Sequence, residues 1–84
     1  MRFTVLYLAR LRDALGRGNE QLELPESSTV ATLIDSLRGR GGAWASELAA
    51  GRAVRVAVNQ EMTDIAAALH DGDEVALFPP VTGG

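Results

Sequence analysis

The residues of this 84-residue chain that offer chemistry lie at its C-terminal end, where Val81-Thr82-Gly83-Gly84 follows Pro79-Pro80. Two consecutive glycines carry no side chains, so they fit a channel too narrow for any other residue and reach φ values that other residues avoid. Val81 to Gly84 spans at most ~14 Å when extended. With Gly84 as terminus, that reach sets its carboxylate inside a partner's pocket while a folded body docks outside. A carboxylate is a poor electrophile at neutral pH and needs activation, most simply as an acyl-adenylate made with ATP. A sulfur donor then converts the activated terminus to a thiocarboxylate, a nucleophile that carries sulfur without cysteine. A Gly-Gly ending alone is a weak motif, because frayed glycine-rich ends are common.

Conventional side-chain catalysis has little to work with. The absence of cysteine removes disulfides, thiolate metal sites and a cysteine nucleophile together. His70 is the only histidine, so this chain alone assembles neither a histidine-based triad nor a multi-histidine metal site. His70 reads as an exposed turn residue rather than a base. Asp71, Asp73 and Glu74 lack the further ligands of a calcium loop, and turn chemistry accounts for them. Glu61 and Asp64 read as solvated, and Trp44 as packed against a helix. Neither a metal nor a permanently bound cofactor is expected. All eight basic residues are arginines, at 2, 10, 12, 17, 38, 40, 52 and 55. Arginine grips carboxylates bidentately but accepts no isopeptide bond, and a GC-rich genome explains the bias more simply than selection does. A net charge of -3 argues against nucleic acid as a partner.

A Gly-Gly tail needs a body to present it. The length suits one domain, residues 1–80, followed by a tail at 81–84. The apolar run Phe3 to Ala9 alternates like a strand and leads into Arg10 and Arg12, so no signal peptide is expected. No stretch approaches the ~20 apolar residues of a membrane span; no membrane partner and a cytoplasmic location are expected. A helical turn follows over Ala9–Leu15, closed by Gly16. Gln21–Leu24 reads as a second strand, antiparallel to the first. The clearest helix is capped by Ser28 or Thr29 and places Val30, Leu33, Ile34 and Leu37 on one face. It stops in Gly39-Arg40-Gly41-Gly42, and Ala43–Ala50 forms a shorter helix. Val54–Val58 alternates as a third strand, with Val54, Val56 and Val58 on one face and Arg55 and Ala57 on the other, and Asn59-Gln60-Glu61 reads as a turn. Asp71-Gly72-Asp73 turns into the last strand, Glu74–Phe78, which Pro79-Pro80 ends because proline donates no ladder hydrogen bond.

The order strand, strand, helix, strand, strand predicts an α+β fold, a mixed sheet with one main helix packed on one face. Phe3, Val5, Val56, Val58, Val75 and Leu77 then meet Val30, Leu33, Ile34 and Leu37. The opposite face displays Leu6, Leu8, Ala57, Ala76 and Phe78. Large apolar side chains with no second helix to cover them point to a partner surface; the alternative is that the short helix around Trp44 folds over them.

The segment Leu69 to Gly84, with its Phe78-Pro79-Pro80-Val81-x-Gly83-Gly84 ending, closely resembles the C-terminus of the molybdopterin synthase small-subunit family. The resemblance runs over the whole chain and includes the first strand into Ala9-Arg10-Leu11-Arg12-Asp13 and Val58-Asn59-Gln60. It implies a ubiquitin-like β-grasp fold. It also implies that an E1-like adenylyltransferase activates Gly84 with ATP, that a sulfur-donor enzyme supplies the thiocarboxylate, and that this group donates sulfur to cyclic pyranopterin monophosphate. The family assembles as a heterotetramer with the large, catalytic subunit, so the carrier is a sulfur-donating subunit and no catalyst alone. Phe78, Pro79, Pro80, Val81 and Thr82, with Gly83-Gly84, match the family's docking segment; Leu6, Leu8 and Arg12 fall where the partner is faced. Leu8 and Leu77 stand where aromatic residues are frequent. Alternative readings are a carrier for thiazole, tRNA thiolation or cysteine, a ubiquitin-like modifier of other proteins, and a plain interaction module.

Overall fold

A computed structural model of the chain describes residues 1–80. Its elements are β1 (Arg2–Tyr7), α1 (Arg10–Leu15), β2 (Asn19–Glu23), α2 (Val30–Arg38), α3 (Gly42–Glu47), β3 (Arg55–Val58), β4 (Glu61–Thr63) and β5 (Glu74–Phe78). The strands form one sheet in the order β2-β1-β5-β3-β4, with β1 and β5 parallel and every other neighbouring pair antiparallel. The apolar β1 and β5 lie inside, and the polar β2 and β4 take the edges, where unpaired backbone faces water. This is the β-grasp arrangement.

One side of the sheet carries the core. Phe3, Val5 and Tyr7 of β1, Val56 of β3, and Val75 and Leu77 of β5 pack with Val30, Leu33, Ile34 and Leu37 of α2. Leu11, Leu48 and Leu69 complete the cluster, while Val58, expected among the residues that meet α2, is half-buried at its margin. Thr29 is the N-cap of α2. Its hydroxyl accepts from the Thr32 amide, and the Thr32 hydroxyl accepts from the Thr29 amide, each at 3.3 Å. Ser28, the other candidate cap, instead donates its hydroxyl to the Pro25 carbonyl at 2.7 Å.

Several boundaries differ from the sequence reading, each for a local reason. β1 stops at Tyr7 because Ala9 turns to φ 53° and its carbonyl accepts the Arg12 amide at 3.1 Å. β2 begins at Asn19, since pairing with β1 draws Asn19 opposite Leu6. α3 ends at Glu47, with Leu48 as its C-cap. β4 is a fifth strand that the sequence reading missed. It is three residues long, exposed throughout, and held by pairing to β3 rather than by a hydrophobic pattern of its own. Asn59 and Gln60, at φ 51° and 68°, make the turn between them, matching the tight hairpins that need two left-handed residues.

Buried Asp73 ties that hairpin to β5. Its carboxylate accepts from Asn59 Nδ2 at 3.0 Å and from the His70 amide at 2.7 Å, while Asn59 Oδ1 accepts from the Glu74 amide at 3.0 Å. The acidic turn is therefore architecture, consistent with the turn chemistry read from it.

Trp44 packs on the helix side, its ring edge-on to Tyr7 at 5.3 Å, with the Arg40 guanidinium 4.4 Å over its face. Tyr7 donates its hydroxyl to Glu20 at 2.6 Å, and Arg40 meets both Glu20 oxygens at 2.8 and 2.9 Å. Burial pushes the Tyr7 phenol up, and its bond to the Glu20 carboxylate adds to that. Burial raises Glu20 too, but the hydrogen bonds from Arg40 and Tyr7 outweigh it and hold the carboxyl below its ordinary value. A carboxyl depressed by folding contributes stability above its unfolded pKa and loses it as pH falls through the folded one. Glu20→Ala should therefore cost about 1–3 kcal/mol at neutral pH in urea unfolding, and the gap from wild type should narrow in acid as the ion pair with Arg40 is lost. Equal stability at neutral pH, or a gap that does not narrow in acid, would contradict this role.

Candidate functional site: the open sheet face at the end of β5

Pleating sends Phe3, Val5, Tyr7, Val75 and Leu77 toward the helices, so Thr4, Leu6, Glu74, Ala76 and Phe78 point to the other side. Register sorts that side into rows. Leu6 lies beside Ala76, Ala76 beside Ala57, and Ala57 beside Met62, an apolar row across β1, β5, β3 and β4. One step toward the end of β5, Phe78 lies beside Arg55. Leu8 adjoins it, donating its amide to the Leu77 carbonyl at 3.0 Å and so extending the β1–β5 ladder. In the opposite direction the face turns polar, with Thr4 between Gln21 and Glu74.

The apolar half thus lies at the end where the chain leaves β5 for Pro79-Pro80. Leu8 and Met62 are 41 % and 59 % exposed, whereas Leu6, Ala76 and Phe78 are half-buried and Ala57 is buried. Trp44 belongs to the helix layer, so the alternative in which its helix covers this face is excluded among the described residues. Pro79 and Pro80 are half-buried and bring no amide hydrogen to extend the ladder.

The structure brings Leu6, Leu8, Phe78 and Pro79-Pro80 to one face and one end of the sheet. Arg12 lies apart, on α1, with its side chain along Gly18. Val81, Thr82, Gly83 and Gly84, the chemical half of the expected site, fall outside the described residues. Two members of the face, Met62 and Arg55, were neither expected site residues nor among the apolar residues expected on this face. Met62 arrives with β4, and its signal was a single apolar residue just after the Asn59-Gln60 turn. Arg55 was placed on the Ala57 face from the alternation of β3 but given no role. Among the described residues no three His, Asp or Glu side chains gather as a metal site, and no helix is long and apolar enough to cross a membrane.

Leu77 and Phe78 are neighbours in sequence with opposite duties. Leu77→Ala empties a fully buried position and should cost about 2–5 kcal/mol of stability. Phe78→Ala should cost clearly less in the same thermal or urea unfolding experiment. Equal losses would show that Phe78 belongs to the core rather than to a docking face.

Known proteins place this geometry in a lineage. The ThiS family profile matches residues 5–84. The molybdopterin synthase sulfur carrier subunit of Haemophilus influenzae is 39 % identical over 80 residues, covering 95 % of this chain and 96 % of the relative. That of Escherichia coli is 38 % identical with the same coverage. Small archaeal modifier protein 3 of Haloferax volcanii is 28 % identical across the full length of both. A solved structure from Pyrococcus furiosus, described as molybdopterin converting factor subunit 1, superposes with a TM-score of 0.81 at 31 % identity, over 96 % of this chain and 99 % of that one. With matches that run the length of the sheet and through the Gly-Gly ending, the chain belongs to the ThiS family, among the molybdopterin synthase sulfur carrier subunits.

Proposed function

We propose that this chain carries sulfur for molybdopterin synthesis as a thiocarboxylate on Gly84. The observation that supports it most is the coincidence of an apolar, helix-free sheet face with the strand end that leads through Pro79-Pro80 to the Gly-Gly tail. A carrier of this kind needs a docking surface and a side-chain-free tail at the same end of the molecule.

The chemistry follows from the terminus. An E1-like adenylyltransferase joins the Gly84 carboxylate to AMP from ATP, releasing pyrophosphate. A hydrosulfide equivalent from a sulfur-donor enzyme displaces AMP and leaves the thiocarboxylate. Within the large subunit its sulfur attacks an oxygen-bearing side-chain carbon of cyclic pyranopterin monophosphate, and a carbon–sulfur bond and a thioester form as the carbon–oxygen bond breaks and its oxygen leaves. Water cleaves the thioester, so sulfur stays on the product and Gly84 regains its carboxylate. Each carrier delivers one sulfur, so a dithiolene takes two carriers. In this scheme the chain is a sulfur-donating subunit whose partner catalyses, in a cytoplasmic heterotetramer with two large subunits.

In this reading Leu6, Leu8, Phe78, Pro79 and Pro80 form the docking face, Arg12 on α1 meets the partner from outside that face, and Val81 and Thr82 lead Gly83-Gly84 into the partner. Pro79-Pro80 suits that task because fixed φ angles and absent amide hydrogens make a stiff exit that pairs with no strand. No cofactor stays bound, and ATP is consumed by the activating enzyme.

The likeness to an archaeal modifier favours one second reading, attachment of Gly84 to lysines of other proteins. With no lysine of its own the chain forms no self-chains. Deleting Gly84, or adding one residue after it, should abolish sulfur transfer in a reaction with ATP, the activating enzyme, a sulfur donor and the large subunit, while thermal unfolding stays unchanged. Intact mass should show the oxygen-to-sulfur increase on wild type only. A truncated chain that still transfers sulfur would sink the mechanism, and conjugates on lysine in place of the thiocarboxylate would favour the modifier. Phe78→Ala should weaken large-subunit binding by about 2 kcal/mol or more, as a buried aromatic anchor does.

A further inference from the structure

Six of the eight arginines meet a carboxylate at 3.3 Å or closer: Arg2, Arg10, Arg17, Arg38, Arg40 and Arg52. Arg12 and Arg55 meet none among the described residues. Arg12 lies along Gly18, away from the apolar rows. Arg55 stands within them: its strand partner is Phe78, and it shares a pleat face with Ala57. Asp64 lines the same shallow depression, but its carboxylate accepts from the Ala66 amide at 2.9 Å and makes no ion pair with Arg55.

A partner that covers Phe78 also takes water from Arg55. A guanidinium stripped of water and given nothing in exchange is costly, whereas a planar carboxylate matches its donors two at a time. An arginine beside Phe78 at the end of an apolar docking face therefore specifies the chemistry of what docks there. We infer that the protein surface covering this face presents an aspartate or glutamate opposite Arg55, making Arg55 a specificity residue that selects the partner and speeds its arrival. The inference rests on the carrier reading above. It accounts for an exposed cation that no carboxylate of the described residues engages, in a chain of net charge -3 whose carboxylates engage most of its arginines. Steering by such a charge acts on the association rate and weakens with salt.

The test measures binding of wild type, Arg55→Gln, Arg55→Glu and Phe78→Ala to the large subunit from the same host, at low and at physiological salt. Arg55→Glu should weaken binding by about tenfold or more at low salt, chiefly through slower association, and the deficit should shrink as salt rises. Arg55→Gln should lose less. Reversing acidic residues of the large subunit one at a time to arginine should reveal one that restores Arg55→Glu. Wild-type binding by Arg55→Glu, or a loss independent of salt that no acidic reversal restores, would overturn the inference. If Phe78→Ala weakens binding while Arg55→Glu does not, the docking face stands and the carboxylate alone is refuted. If wild type does not bind, or Phe78→Ala binds like wild type, the carrier reading of this face fails and the inference falls with it.

Discussion

The parallel pairing of β1 with β5 is the contact on which the rest of this molecule depends. It joins residues about as far apart in sequence as the chain allows, with Val5 beside Val75 and Tyr7 beside Leu77. Parallel strands cannot be joined by a tight turn, so the helices and the β3–β4 hairpin all lie within the loop that this pairing closes. Its register also fixes which side chains go where. A slip of one residue would turn Phe3, Val5 and Tyr7 out of the core and bring Thr4 and Leu6 in.

The same register makes the molecule two-sided. On one side α2 seals the core, and the Tyr7–Glu20–Arg40–Trp44 cluster fastens β1, β2 and the segment after α2. Because Tyr7 is drawn to that side, its neighbours Leu6 and Leu8 are committed to the other, where no helix follows. Apolar surface is thus left open as a consequence of how the core is built. Parallel strands run in the same direction, so Leu8 and Phe78 finish at the same end, and the open patch coincides with the exit of the chain.

The proposed delivery of sulfur from the terminus requires a fixed point from which the chain leaves the sheet. Here that point is held by a central strand paired on both sides and entered through the Asp73–Asn59 hydrogen bonds. The Pro79-Pro80 pair then ends the ladder sharply. Phe78 and the Pro79-Pro80 exit are held by one strand, so a partner docked on Phe78, as proposed, would also set where the tail begins.

Much of this was legible in the residues. Alternation in Phe3–Tyr7 and Glu74–Phe78, the 3.6-residue spacing of Val30, Leu33, Ile34 and Leu37, and the Pro-Pro stop are local patterns, and local patterns survive without tertiary context. The Gly83-Gly84 ending and the lack of cysteine likewise directed the expected chemistry to the terminus, which lies outside the described residues. The rest was decided by pairing. β4 has too few residues and too weak a pattern to announce itself, and only the hairpin turn at Asn59-Gln60 and the ladder to β3 make Glu61-Met62-Thr63 a strand. Strand alternation put Arg55 on the outer face, but its place beside Phe78 depends on the β3–β5 register. Trp44 read as packed against a helix, with its helix on either face of the sheet, and Glu20, just before the strand read as Gln21–Leu24, carried no reading of its own. Their positions come from contacts between residues far apart in the chain, where side-chain type states a preference and geometry alone selects the partner.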